Sequence, residues 1–135
     1  MSNQERLSIE DISRLAEDKS PNARIEVANK LAKQYRNKDF PPEQLKLAEQ
    51  IFRLLLRDVE VHVRKAISDN LKDLKDVPRD VILQLTKDVK EVSIPVLEVS
   101  EVLTDTDLIS IIQTTNEVAS QIAISKRKNV SSKVD

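Results

Sequence analysis

The sequence contains no glycine and no cysteine among its 135 residues. Phosphate-binding loops and dinucleotide fingerprints need glycine where the backbone takes a positive φ or approaches a ligand closely, so the familiar nucleotide-binding motifs are excluded. Without cysteine the chain has no disulfide, thiolate nucleophile or cysteine metal site. Its single histidine, His62, also excludes a histidine-rich zinc site. No cofactor is therefore expected.

The sequence also has few aromatic residues and almost no net charge. Tyr35, Phe40 and Phe52 make up 2% of the chain, which disfavours a base-stacking surface and an all-β core. The net charge of −1 supplies no overall attraction to nucleic acid or to a membrane surface. No segment has the hydrophobic pattern of a signal peptide or a membrane span. We expect a cytoplasmic protein that neither enters a membrane nor is built around nucleic-acid binding.

Apolar residues recur at the i, i+3 or i+4 spacing of amphipathic helices along most of the chain. One such stripe comprises Leu45, Ala48, Phe52 and Leu55. Proline disfavours a helical conformation in the residue before it, so Pro42, Pro78 and Pro95 are interpreted as breaks or helix starts. Between the breaks the pattern predicts about eight short helices, and thus an all-α fold.

The predicted helices form pairs that repeat. The first helix of each pair opens with an apolar residue followed by a proline or a capping residue, at Leu7, Phe40, Val77 and Leu103. The second helices align through three rows of residues. These are a turn row (Asp18, Asp58, Asp88, Thr115), a row six residues later (Arg24, Arg64, Ile94, Gln121) and a core row (Val27, Ile67, Leu97, Ile124).

Self-similar helix pairs predict an α-solenoid, a superhelix in which each pair packs mainly against the next. We assign residues 1–135 to a single repeat domain of about four helix pairs. The units span residues 7–38, 40–76, 77–102 and 103–129, and residues 130–135 begin a fifth. We expect the chain to be a fragment of a longer protein, with an uncapped C-terminal edge that favours self-association.

The spacing of Asp18 from Arg24, and of Asp58 from Arg64, resembles that of the HEAT repeat. The resemblance implies that the acid lies in the turn within a repeat and the arginine near the start of the second helix. These four residues would then form a structural ladder that pairs within and between repeats. The ladder is incomplete, because Ile94 stands where the third arginine is expected.

A second resemblance covers the last third of the chain. Its motifs are Pro-Val-Leu-Glu from Pro95, Leu-Thr-Asp-Thr-Asp-Leu from Leu103, Ala-Ile-Ser-Lys-Arg from Ala123 and Asn-Val-Ser from Asn129. Together they resemble an uncharacterised bacterial family of HEAT-like proteins. This resemblance implies a HEAT-like fold and no known activity.

The repeat leads to a functional hypothesis. Solenoids bind partners through extended concave surfaces, which the second helices of each pair are expected to line. A non-catalytic scaffold that binds a protein partner through this surface is therefore predicted. Glu98 and Glu101 are expected one turn apart on the third such helix. The candidate partner-binding residues are Lys30, Lys33, Lys65, Asp69, Glu98, Glu101 and Lys126.

Two alternatives stay open. His62, followed by Val63, Arg64 and Lys65, loosely resembles the histidine of phosphotransfer bundles, although glycine does not follow the lysine. The other interpretation of His62 is a solvated residue in the first turn of a helix. A nucleic-acid binder of HEAT-like type is the second alternative, with Lys126, Arg127 and Lys128 as its basic residues. With a single histidine no Ser-His-acid triad can form, and no enzymatic activity is expected.

Overall fold

A computed structural model describes residues 20–127, and every regular element among them is an α-helix. The helices are α1 Pro21–Arg36, α2 Pro42–Leu55, α3 Val61–Leu71, α4 Arg79–Thr86, α5 Lys90–Val99, α6 Asp105–Thr114 and α7 Val118–Ser125. The predicted all-α fold is confirmed for these residues. The first predicted helix, near Leu7, and the start of a fifth unit at residues 130–135 lie outside the described residues.

The starts of the first helices agree with the prediction. Helices α2 and α4 begin directly after Pro41 and Pro78, whose backbones are extended. Helix α6 begins after Thr104 with a capping box, in which the Thr104 hydroxyl accepts from Asp107 N and the Asp107 carboxylate accepts from Thr104 N. These residues satisfy or replace N–H groups that have no partner inside a helix.

Helix α1 ends in a turn that glycine would normally occupy. Lys38 has a φ of 54°, in the left-handed region. Its N–H donates to Tyr35 O at 3.1 Å, and the next residue, Asp39, donates from its N–H to Gln34 O at 3.0 Å. This is the double hydrogen bond of a Schellman motif. In a chain without glycine, lysine takes the strained position.

The interpretation of Pro95 as a break is wrong, because Pro95 lies inside α5. Proline inside a helix removes one hydrogen bond and costs roughly 3 kcal/mol. Helix α5 nevertheless continues because Val92, Val96 and Leu97 on it are fully buried. Each such side chain contributes about 1.5–3 kcal/mol on burial, which offsets the cost of the proline.

The chain divides into two compact units between Asn70 and Leu71. In the first unit α1 packs against α2. The Tyr35 and Phe52 rings meet edge to face with centroids 5.3 Å apart. Helix α3 is tied to α1 by Asn70, whose Nδ2 donates to Asn29 Oδ1 at 2.8 Å. Val63 and Ile67 of α3 are also fully buried.

In the second unit α5 packs against both α4 and α7, and α7 also packs against α6. Its core contains Val81, Ile82, Leu85, Val96, Leu97, Leu108 and Ile124, all 2% exposed or less. Helix α5 is thus the central element of this unit. Its two ends border the grooves described below.

The core row predicted from the repeat is confirmed. Its four members, Val27, Ile67, Leu97 and Ile124, are all fully buried. In the stripe on α2, Ala48, Phe52 and Leu55 are buried as predicted, but Leu45 is 40% exposed. Leu45 lies in the first turn of α2, where residues 43–47 are all exposed. Apolar spacing alone does not reveal that the buried contact begins one turn later.

Candidate interaction site

A groove in the second unit brings together three of the predicted partner-binding residues, Glu98, Glu101 and Lys126. We name it the mixed-charge groove, and it is lined by Glu98, Val99, Glu101, Leu103, Asp105, Leu108, Lys126 and Arg127. It lies where α5 and α7 end and α6 begins. Val99 is 46% exposed and gives the groove an accessible apolar contact. Asp105 also lines the groove and was not selected from the sequence.

The sequence predicted that Glu98 and Glu101 lie on the same helix, but they do not. Helix α5 ends at Val99, and the backbone of Ser100 is extended. The Ser100 hydroxyl accepts from Val102 N at 3.2 Å, a local bond that favours a turn over continued helix. Glu101 therefore lies in the connection to α6, where its carboxylate pairs with Lys75 Nζ at 3.2 Å.

Arg127 holds the end of α5 in place. Its Nη1 donates to Leu97 O at 2.7 Å and its Nη2 donates to Ser100 O at 2.5 Å. Its Nε is buried and has no acceptor among the described residues. Burial lowers the pKa of Arg127, although the nearby Asp105 and Glu101 carboxylates act in the opposite direction. Arg127 therefore donates to carbonyl groups at the end of α5, and its guanidinium is occupied by these hydrogen bonds.

The basic residues near the end of α7 therefore differ in role. Lys126 is exposed and forms the C-terminal cap of α7. Arg127 is held by the backbone of α5, and Lys128 lies outside the described residues. Among residues 20–127, only Lys126 of this run is available to an external phosphate.

The other predicted binding residues lie in the first unit, on α1 and α3. Lys33 is exposed on α1. Lys30, with 26% of its side chain exposed, pairs with Glu26 at 3.7 Å. On α3, Lys65 Nζ donates to Asp69 Oδ2 at 2.7 Å. Both of these pairs are spaced four residues apart on an exposed helix face, where each contributes little stability.

The structure brings together three of the four residues predicted as a ladder. Arg24 Nε lies 2.5 Å from Asp58 Oδ2, and Arg24 Nη2 lies 3.1 Å from Asp58 Oδ1. Arg64 Nη1 donates to Asp58 O at 2.7 Å. Asp58 Oδ1 also accepts from Glu60 N at 2.9 Å, just before α3. Asp18, the fourth residue, lies outside the described residues.

The same turn pattern recurs in the second unit with different residues. Thr115 occupies the position of Asp58, and its hydroxyl accepts from Glu117 N, two residues later, at 3.1 Å. Gln121 Nε2 donates to Thr115 O at 3.4 Å, across the same six-residue spacing as Arg64 and Asp58. The hydrogen bond to the turn carbonyl is therefore retained in the second unit, although Gln121 stands in place of the predicted arginine.

An ion pair between α4 and α6 was not anticipated from the sequence. Arg79 donates to both carboxylate oxygens of Asp107, from Nη1 to Oδ2 at 2.6 Å and from Nη2 to Oδ1. The Arg79 hydrogen bond lowers the pKa of Asp107 to about 2, and the Thr104 N–H and hydroxyl act in the same direction. Asp107 therefore links two helices as well as capping its own.

His62 lies in the first turn of α3 with 72% of its side chain exposed, as the solvated interpretation predicts. Its Nδ1 lies 2.9 Å from Glu60 Oε1, and this contact lowers the pKa of Glu60. Arg64, the nearest arginine in sequence, is held by Asp58 O. The Glu60 carboxylate beside the imidazole would repel an incoming phosphoryl group, which disfavours transfer.

Two further features bear on the class of site. Across residues 20–127, no group of three or more histidine or carboxylate side chains could hold a metal ion. Helices long and apolar enough to cross a membrane are likewise missing from this part of the chain.

Comparison with known families gave one match. The model of a family described as an uncharacterised protein conserved in bacteria (DUF2336) matches residues 92–135. This confirms the predicted similarity of the last third to an uncharacterised bacterial family. The matched segment includes Glu98, Glu101 and Lys126 of the mixed-charge groove. Neither the curated proteins nor the solved structures gave a match.

Proposed function

We propose that this chain is a non-catalytic scaffold, built from HEAT-like helix pairs, that binds a protein partner through the second helices of its pairs. Three observations support the repeat. The core row is buried throughout, and the turn bond from Arg64 to Asp58 O recurs from Gln121 to Thr115 O. Second helices also neighbour each other, with α1 beside α3 and α5 beside α7.

The observation that carries the binding proposal is the mixed-charge groove. Glu98, Glu101 and Lys126 come from separate segments of the chain and line one groove around the exposed Val99. An accessible apolar contact surrounded by charges of both signs is the arrangement of a small protein-binding site. The charges would contribute mainly to specificity and to the rate of association.

The groove also limits the chemistry of the partner. Glu101 is paired with Lys75, and Arg127 is held by backbone carbonyls. Glu98, Asp105 and Lys126 are left to meet the partner. We propose a peptide segment that places an apolar side chain on Val99, a basic residue near Glu98 and an acidic residue near Lys126.

The test uses the immobilised full chain to capture partners from the extract of its native cell. The wild type is compared with the double variant Glu98→Lys/Lys126→Glu, which exchanges the two charges. A protein held by the wild type should be lost from the double variant, with an affinity at least about tenfold weaker when the purified pair is titrated. Its association rate should fall as salt is raised.

The matched control is Glu91→Lys, which reverses an exposed acid on the same helix outside the groove. The control should retain the partner as the wild type does. Equal retention by all three proteins would contradict the groove as the binding site. Retention of nucleic acid in place of protein, lost on Lys126→Glu, would favour the nucleic-acid alternative.

A further inference from the structure

A second groove in the second unit is lined in part by several hydroxyl groups. It lies where α4 ends, where α5 and α7 begin, and along α6. We name it the hydroxyl groove. Its lining includes Lys87, Lys90, Ser93, Ser110, Glu117 and Ser120. It is separate from the mixed-charge groove, and the two share no lining residue.

Two serines in this groove are largely buried as residues, and their hydroxyls have no hydrogen-bond partner within the described chain. Ser93 is 2% exposed and Ser120 is 7% exposed. Neither hydroxyl bonds to another group of the described chain, whereas the hydroxyls of Thr86 and Thr114 in the same groove donate to backbone carbonyls. Neither hydroxyl oxygen is fully enclosed by protein, so each still faces the groove and can bond to a molecule in it. A ligand in the groove would give both hydroxyls a partner that the described chain does not supply.

The repeat shows that these serines are not required for packing. Ser93 and Ser120 each lie four residues before a core-row residue, Leu97 and Ile124. The equivalent position in α3 is Val63, four residues before Ile67 and fully buried. In α3, therefore, an apolar side chain fills this position. Hydroxyls replace it in the two helices that line the groove.

The surroundings of the serines favour an anion. Both lie in the first turns of their helices, and no side chain caps the start of α5 or α7. Helix starts present free N–H groups and the positive end of the helix dipole. Lys87 and Lys90 add two positive charges at the same edge.

The acids in the lining are mostly engaged elsewhere. Asp88 accepts from Val89 N at 2.7 Å, and Asp107 is held by Arg79. Glu117 is exposed at the start of α7, and it would repel an anion bound beside it.

We propose that the hydroxyl groove binds an oxyanion, a phosphate or a carboxylate group, through the hydroxyls of Ser93 and Ser120. Lys87 and Lys90 supply the balancing positive charge. The oxyanion would satisfy two hydroxyls and two uncapped helix starts at once. This site is independent of the protein-binding groove, and it can exist whether or not that groove binds a partner.

The experiment titrates the full chain with inorganic phosphate and, in parallel, with acetate, at constant ionic strength in chloride. Binding is followed through the amide NMR signals of residues 90–93 and 118–120. Saturable shifts with either anion are expected, and the tighter of the two identifies the preferred group. Ser93→Ala and Ser120→Ala should each weaken binding by about tenfold. Without anion, both variants should be about as stable as the wild type, because neither hydroxyl bonds to another group of the described chain.

A charge variant tests the same site without altering a buried residue. Glu117→Gln removes the repelling carboxylate and should tighten phosphate binding about threefold. Glu91→Gln, an exposed acid on α5 outside the groove, should leave the affinity unchanged. The proposal is overturned if neither anion gives a saturable shift beyond that of chloride. It is also overturned if both serine variants bind as the wild type does, or if Glu117→Gln binds no more tightly than Glu91→Gln.

Discussion

Arg24 and Asp58, thirty-four residues apart, form a two-point ion pair that joins the start of α1 to the turn before α3. Their side chains are only 15% and 10% exposed, so the pair is largely shielded from solvent. Asp58 also organises its own turn by accepting from Glu60 N. The Asp58 carboxylate therefore stabilises both its own turn and the contact between that turn and α1.

Arg24→Ala should lower the free energy of unfolding by about 2 kcal/mol, because it leaves the shielded Asp58 carboxylate without its partner. Arg24→Lys should recover only part of this loss, since lysine cannot form the two-point contact. Urea unfolding followed by circular dichroism measures both. Arg57→Ala removes an exposed arginine beside Asp58 and serves as the control. Equal losses for Arg24→Ala and Arg57→Ala would contradict this role.

The pair of Arg79 and Asp107 should make stability depend on pH in acid. Because Arg79 lowers the pKa of Asp107 from 3.8 to about 2, folding favours the charged carboxylate. The stabilisation is therefore complete above about pH 4 and is lost as the pH falls toward 2. The loss should be small, since the half-exposed Arg79 guanidinium is screened by water.

Urea unfolding at a series of pH values measures this dependence. Asp107→Asn should remove this part of the acid-induced loss. Asp105→Asn, in the same turn but outside the pair with Arg79, should retain it. If the two variants show the same pH profile, the pair does not stabilise the fold.

Arg127 and Lys126 should differ sharply although they are adjacent cations. Arg127→Ala leaves the carbonyls of Leu97 and Ser100 without their donor and should cost about 2 kcal/mol of stability. Lys126→Ala should change stability by less than about 0.5 kcal/mol, because Lys126 is exposed. Thermal unfolding of the two variants provides the comparison. A stable Arg127→Ala variant would show that the guanidinium is free to bind another molecule.

Lys38→Gly should stabilise the chain, an unusual result for a glycine substitution. Lys38 takes a left-handed φ of 54°, which costs a residue with a Cβ about 1 kcal/mol and costs glycine almost nothing. Gln50→Gly, at an exposed position inside α2, should instead destabilise by about 1 kcal/mol. Denaturant midpoints of the two variants should shift in opposite directions. A shift in the same direction would mean that the turn after α1 carries no strain.

Local patterns predicted much of the fold because helices are short-range structures. The starts after Pro41, Pro78 and Thr104 follow from proline geometry and capping, which involve only neighbouring residues. The buried row of Val27, Ile67, Leu97 and Ile124 follows from spacing within the repeat. The same reasoning failed at Pro95, where burial against the rest of the second unit outweighs the local cost of proline.

The candidate sites were only partly predictable. Glu98, Glu101 and Lys126 were selected as polar residues of second helices, yet Glu101 reaches the groove from a connection. Ser93 and Ser120 were overlooked, although a comparison of their row with Val63 could have revealed them. In the sequence alone, a serine in a helix is no more informative than any other polar residue.

The amino-acid sequence by itself determined the helical class, the starts of α2, α4 and α6 and the buried core row, because each depends mainly on local spacing within the chain. The tertiary structure alone decided which charges meet: Arg24 with Asp58, Arg79 with Asp107, and Arg127 with the end of α5. It also decided which polar residues line a groove. Such contacts join segments about thirty residues apart, and their geometry is set by how the helices pack.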